Sequence, residues 1–235
     1  MRKNHIWISE LLVIILVSAI VLSLLFLGII VVKNDLTIRR NNRTITYAKS
    51  NWNSLAATID ELTEKHLVAS TLDSFALGKL SDTTLWTLVD LVYQNSKTFG
   101  YDPFLVLAVI HVESMFDPVA KGQYRDGRYS GAFGLMQLKP ETAQGVAKAL
   151  GIPYSGMKDL FKPEINIPLG VAYLTQQISQ FKSLKLGILA YNQGPGTILH
   201  SLKNKQPLSI RYYNKVLKSY FKLRKMHRVL EEFEN

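Results

Sequence analysis

From Leu11 to Val32 the chain reads LLVIILVSAIVLSLLFLGIIVV, 22 residues without a charge. A helix rising about 1.5 Å per residue would span roughly 33 Å here, enough for a hydrocarbon core of about 30 Å. A cleavable signal sequence would carry only about 7–15 apolar residues before a small-x-small site. This run is longer, and Ala19 is its only alanine. Residues 1-32 therefore read as a cytoplasmic stub and a retained transmembrane anchor, with residues 11-32 in the membrane. Orientation is contested within the sequence. Arg2 and Lys3 precede the run, but Lys33, Arg39, Arg40 and Arg43 follow it, and a Lys/Arg count puts the C-terminal side in the cytoplasm.

The chain has no cysteine, which excludes disulfides, thiolate zinc sites, a cysteine nucleophile and a lipidated cysteine. The five histidines (His5, His66, His111, His200 and His227) never fall at the i, i+4 spacing of a helical metal pair, so neither metal nor cofactor is expected. A net charge of +10 favours an anionic partner such as a wall polymer or acidic lipid heads. No nucleic-acid motif accompanies the charge, so nucleic acid is not expected as a partner, and the sequence names no protein partner.

Beyond the anchor the periodicity is helical. Residues 33-80 read as a polar juxtamembrane linker (33–45) and an amphipathic helix, in which Trp52, Leu55, Ile59 and Leu62 recur at three and four; it reads first as a helix packed on the domain, with a stalk or a partner-binding helix as alternatives. Residues 81-235 read as a separate helical domain. A helix from Ser81 shows Leu85, Leu88, Val89, Val92 and Tyr93 on one face and ends near Gly100. Asp102-Pro103 starts the next, with Asp as cap and Pro at the first helical position. Its run FLVLAVI is apolar on every side and so belongs to the core. Further helices are expected over 140–150, 168–181, 184–191 and, amphipathic and basic, 210–233. No alternating strand pattern exceeds a few residues. The expected fold class is mostly α.

Glu113 follows that apolar run. Dry surroundings disfavour an ionised carboxylate, and the negative end of a helix pushes the same way. Such a carboxyl suits a general acid, although from position alone a solvated Glu at a helix rim is the more ordinary reading. Gly131 to Gln137 (GAFGLMQ) places two glycines and an alanine within four residues, which lets backbone approach a bulky ligand, and Gln137 offers an amide to it. Ala190 to Gly196 (AYNQGPG) puts Tyr191 and Asn192 at the end of an apolar helix before a sharp turn.

Taken in order, Glu113-Ser114, Phe116 and Pro118, then Gly134 to Gln137, then Asn166-Ile167, Gly170 and Tyr173-Leu174, then Ala190 to Gly196 resemble the lytic transglycosylase family with its SLT domain. The resemblance spans roughly Leu85 to Val216. It implies a lysozyme-like, goose-type helical domain preceded by one transmembrane helix, and peptidoglycan glycan strands as substrate. It also implies a reaction in which one Glu, matching Glu113, protonates the oxygen leaving N-acetylmuramic acid. The sugar's acetamido group stabilises the cation, and the same Glu then takes the proton of the C6 hydroxyl, closing a 1,6-anhydro ring. Tyr191 matches the tyrosine that orients the Glu. Ser114, Gln137 and Asn192 match saccharide-binding or site-shaping positions, and either Tyr212 or Tyr213 matches a tyrosine lining the cleft.

The chain departs from the pattern in two places. Many relatives have a short Ser-containing loop after the Glu motif, whereas here Ala120 to Ser130 is longer and holds Lys121, Arg125, Asp126 and Arg128, with Ser130 as candidate for the family serine. Lys139 stands where many relatives carry an apolar residue. Among possible second carboxylates, Asp117 reads as a turn cap and Asp126 as part of a loop turn. His111 reads as packed or solvated. From Lys203 through Arg228 there are nine Lys/Arg and no acid, read as a solvated helix face or as a contact for anionic polymer or lipid.

Overall fold

The computed structural model describes the backbone of residues 2–234 except 77, 79 and 125, and side chains over 13–226 with the same exceptions. Arg2, Lys3, His5, Leu11, Arg125, His227 and Arg228, used in the sequence reading, lie outside the described side chains. The chain divides into two compact units, Met1–Glu61 and Leu62–Asn235.

The first unit lies within helix α1 (Arg2–Ala76). Among the described residues, this is the one helix long and apolar enough to cross a membrane. Within the apolar run, Ser18 and Ser23 donate to the carbonyls of Ile14 (2.8 Å) and Ile20 (3.1 Å), so their hydroxyls need no water. The polar stretch 33–45, expected as a linker, is helical. Thr37 and Thr44 back-bond to Lys33 and Arg40, and Asp35 pairs with Arg39 one turn on at 2.8 Å.

In the second unit, the end of α1 joins the core through Leu67, Val68, Ala69, Leu72 and Ala76. Trp52, Leu55, Ile59 and Leu62 on the same helix are exposed. Helix α2 (Asp82–Thr98) starts on the Ser81 cap. Lys65 pairs with Asp90 (3.0 Å) and Lys97 with Glu64 (2.9 Å), both ammonium groups lying about 5 Å from the Tyr93 ring centre.

Helix α3 (Pro103–Ser114) is buried from Pro103 to Ile110, as its all-round apolar sequence requires. Asp102 caps it, accepting from Phe104 N at 2.9 Å, and its other oxygen accepts from Tyr220 at 2.8 Å. Met115 and Phe116 then take left-handed φ values of 52° and 63°. The Phe116 side chain, fully buried, holds the chain in this sharp reversal.

The inserted segment is a β-hairpin, which the sequence reading did not foresee. Strand β1 (Lys121–Gln123) pairs antiparallel with β2 (Tyr129–Phe133), with an irregularity between Lys121 and Gln123. Helix α4 (Pro140–Leu150) and a 3-10 turn (Met157–Phe161) follow. Helix α5 (Pro163–Phe181) begins five residues before the expected start at Pro168. Pro168 sits one turn and a half inside the helix, and Pro163 takes the first-turn position that suits proline. Helix α6 (Leu184–Gln193), a short unforeseen α7 (Pro195–Lys203) and α8 (Arg211–Glu234) complete the unit. Helix α3 packs on α8, and α5 on α2 and α6.

Candidate active site

The Gly-Leu-Met-Gln turn is held from below by one buried side chain. Asn166 Oδ1 accepts from Met136 N at 2.7 Å, while its Nδ2 donates to the carbonyls of Phe133 (3.0 Å) and Leu160 (2.9 Å). Gly134, at φ 76°, lies so close that a Cβ there would meet Leu160 O at 1.9 Å. A Cβ at Gly170 would meet Met136 Sδ at 2.3 Å. The glycine at 134 thus serves the approach of backbone to backbone, not to a ligand as expected. The Asn-x-x-x-Gly spacing on α5 is the underside of the same turn.

On this support sits a cavity of about 520 Å³, within the usual range for ligand sites. Glu113 enters it from the end of α3. The hairpin forms one wall with Gly122, Gln123, Tyr124 and Ser130, and the start of α4 adds Lys139 and Thr142. Gln137, Tyr173, Tyr191 and Asn192 complete the lining. Among the described residues of the wall, Glu113 is the only carboxylate.

Glu113 Oε1 accepts the hydroxyl proton of Tyr212 at 2.5 Å. Burial pushes the Glu113 carboxyl up from the usual 4.5 to about 7, against the Tyr212 hydrogen bond and the Lys215 charge, which both favour the carboxylate. Burial and the neighbouring Glu113 hold the Tyr191 and Tyr212 phenols well above their ordinary range, so both remain donors.

The tyrosine roles differ from those expected. Tyr191 donates to Met136 O at 2.6 Å and stacks obliquely on Tyr173, ring centres 5.4 Å apart, so it braces the turn. The phenol on Glu113 belongs to Tyr212, from the first turn of α8. Tyr212 is buried at 8% exposure and is not part of the cleft wall. Ser114 is not part of it either, because its hydroxyl donates back to Ile110 O at 3.0 Å. Ser130, Gln137, Tyr191 and Asn192 do share the cleft with Glu113. Gln137 spends its amide nitrogen on the carbonyls of Gly134 (2.8 Å) and Ala120 (3.2 Å), which leaves its oxygen towards Gly122 and the cleft.

Other acids near the site are engaged locally. Asp117 accepts from Val119 N at 2.9 Å, the turn cap expected, and Asp126 holds Arg128 within the hairpin. His111 packs between Phe75 and Phe116 and bonds to Ser219 at 2.9 Å. Thr142, Gln123 and Tyr124 were not singled out from sequence. Only the length of the insertion hinted that its residues reach the cleft.

A helical unit whose most buried helix ends in one dry carboxyl, facing a small hairpin across a cleft, has the lysozyme-like architecture. Residues 90–214, over half of the chain, match the transglycosylase SLT domain, and the chain belongs to that family. It is 33% identical over 138 residues, 54% of this chain, to membrane-bound lytic murein transglycosylase C of Mannheimia succiniciproducens, of which it covers 37%. It is 28% identical over 158 residues to membrane-bound lytic murein transglycosylase E of Buchnera aphidicola, covering 63% of this chain and 68% of that one. The chain thus spans little more than a third of the C-type relative. The 70-kDa soluble lytic transglycosylase in complex with bulgecin A superposes with a TM-score of 0.50 at 28% identity, over 57% of this chain and 24% of that one.

Proposed function

We propose that this chain is a membrane-anchored lytic transglycosylase that cuts peptidoglycan glycan strands at the β-1,4 bond between N-acetylmuramic acid and N-acetylglucosamine. The observation that carries this reading is Glu113, whose carboxyl burial pushes up to about 7 and which is the one carboxylate among the described residues of its cleft.

Protonated Glu113 gives its proton to the glycosidic oxygen as the bond to C1 breaks. The substrate's acetamido oxygen stabilises the positive charge at C1. Glu113 is now a carboxylate, and the Tyr212 hydrogen bond and the Lys215 charge favour that form. It takes the C6 hydroxyl proton while that oxygen closes on C1. The 1,6-anhydro end forms, water is not consumed, and Glu113 is restored to its protonated state.

A hydrolytic muramidase on the same fold would need a carboxylate to activate water. Asp117 and Asp126 are both committed to turns. Mass spectrometry of digested peptidoglycan separates the two reactions. Anhydro-muropeptides are expected, and reducing ends one water heavier would refute the lyase reading. Glu113→Gln should abolish lysis and leave glycan binding, whereas surviving lysis would remove Glu113 from the mechanism. If lysis fails in the unaltered protein while glycan is bound, the chain is a wall-binding scaffold. The substrate's location places the domain on the periplasmic side of the inner membrane, against the Lys/Arg count. A reporter fused after Asn235 that proves cytoplasmic would overturn this orientation.

A further inference from the structure

The hairpin between the Glu113 helix and the Gly-Leu-Met-Gln turn carries an aromatic ring at the rim of the cleft. Tyr124 lines the same cavity as Glu113, yet the residue is 51% exposed. Its position is set by the hairpin tip. Tyr124 N donates to Arg128 O at 2.8 Å, and Gly127 N donates to Tyr124 O at 3.0 Å. Asp126 accepts from Arg128 N at 3.1 Å and pairs with its guanidinium at 2.7 Å. That guanidinium lies 5.9 Å from the Tyr124 ring centre. The strand leading to Tyr124 is seated tightly: a Cβ at Gly122 would meet Ser130 Oγ at 2.2 Å and Gln137 Oε1 at 2.6 Å. The backbone that carries this flat ring is thus held by hydrogen bonds, and the ring is continuous with the cleft and open to solvent.

The geometry points to an additional saccharide subsite at Tyr124, where the ring takes the apolar C–H face of a pyranose in the glycan strand, away from the bond at Glu113. This inference rests on the proposed glycan-cutting function. A pyranose with equatorial substituents presents a flat C–H patch, ringed by hydroxyls that stay wet. Tyrosine offers the matching surface, an apolar face with a polar tip, and loses little conformational freedom on binding. The backbone bonds at Tyr124 lower the ordering cost further. The subsite therefore selects for strand length, because only an oligosaccharide long enough to run from Glu113 to the hairpin gains from it.

The test is binding of peptidoglycan-derived glycan oligomers of two to eight sugars to the full chain in detergent micelles, on a Glu113→Gln background that prevents turnover. Tyr124→Ala should weaken the longest oligomers about five- to tenfold and leave the shortest unchanged. Tyr124→Trp should restore the loss, and Tyr124→Leu, apolar but not flat, should not. Unchanged binding of long oligomers by Tyr124→Ala, or restoration by Leu equal to that by Trp, overturns the subsite. A loss equal at all lengths also overturns it, since that marks a collapsed hairpin. Each of these results leaves the proposed function standing. A protein that binds no oligomer of any length overturns both.

Discussion

Replacing Glu113 with Gln should stabilise the protein at alkaline pH, and the size of the effect follows from its surroundings. The Glu113 carboxyl titrates at about 7 in the folded chain, against 4.5 for a solvated Glu. The folded pKa is raised, so below about pH 4.5 both states are protonated and the group adds no penalty. Between 4.5 and 7 the unfolded chain releases its proton while the folded chain keeps it, and folding stability falls with each pH unit. Above 7 the folded chain carries a buried carboxylate and the loss levels off. A gap of about 2.5 units at roughly 1.4 kcal/mol each comes to about 3.5 kcal/mol in full, of which about 3 kcal/mol develops between pH 4.5 and 8. Gln keeps the shape without the charge, so it escapes this loss. The assay is thermal unfolding of the full chain and of Glu113→Gln in the same detergent, from pH 4.5 to 8. For a unit of this size, 1 kcal/mol moves the midpoint by about 2–4 °C. The variant's midpoint should therefore rise relative to the unaltered protein by roughly 6–12 °C across that range. Other titrating groups cancel in the difference. Two parallel curves would refute the dry carboxyl and, with it, the reason for Glu113 to act as an acid at neutral pH.

Two further substitutions test the supports of the site. Tyr212→Phe removes the donor that favours the Glu113 carboxylate, so the Glu113 pKa should rise. The alkaline limb of the pH profile of peptidoglycan lysis should move to higher pH while kcat falls, because the returning base is less stable; an unmoved limb would contradict the Tyr212 contact. Asn166→Ala leaves Met136 N and the carbonyls of Phe133 and Leu160 without their shared partner. It should cost about 3 kcal/mol or more, read as a lowered melting midpoint, because unmet buried polar groups bear their full desolvation cost. A shift within error would show that water substitutes for the amide.

Much of this arrangement is legible in the order of residues. The charge-free run to Val32 dictates a helix suited to a membrane by length and polarity alone. The apolar stretch after Pro103 dictates a buried helix, and a carboxyl at the end of such a helix is a raised-pKa candidate before any neighbour is known. Local signals also place the starts of α2 and α3, since Ser81 and Asp102 act within three residues of themselves.

Assignment of the tyrosines was decided elsewhere. Tyr191 and Tyr212 are both buried phenols at helix ends, and nothing local to either says which one meets a carboxyl. The answer depends on α3 packing against α8, which brings Tyr212 to Glu113 across 99 positions, and on α6 facing the Gly-Leu-Met-Gln turn. The hairpin escaped notice for a related reason. Its strands are three and five residues long, so pairing rather than an alternating pattern defines them, and pairing is a long-range property. Sequence determined that there would be one membrane-length helix, a buried helix and a carboxyl at its end. Only the tertiary structure decided what surrounds that carboxyl, because burial and hydrogen bonding at Glu113 come from helices, a hairpin and a turn that are separate in the chain.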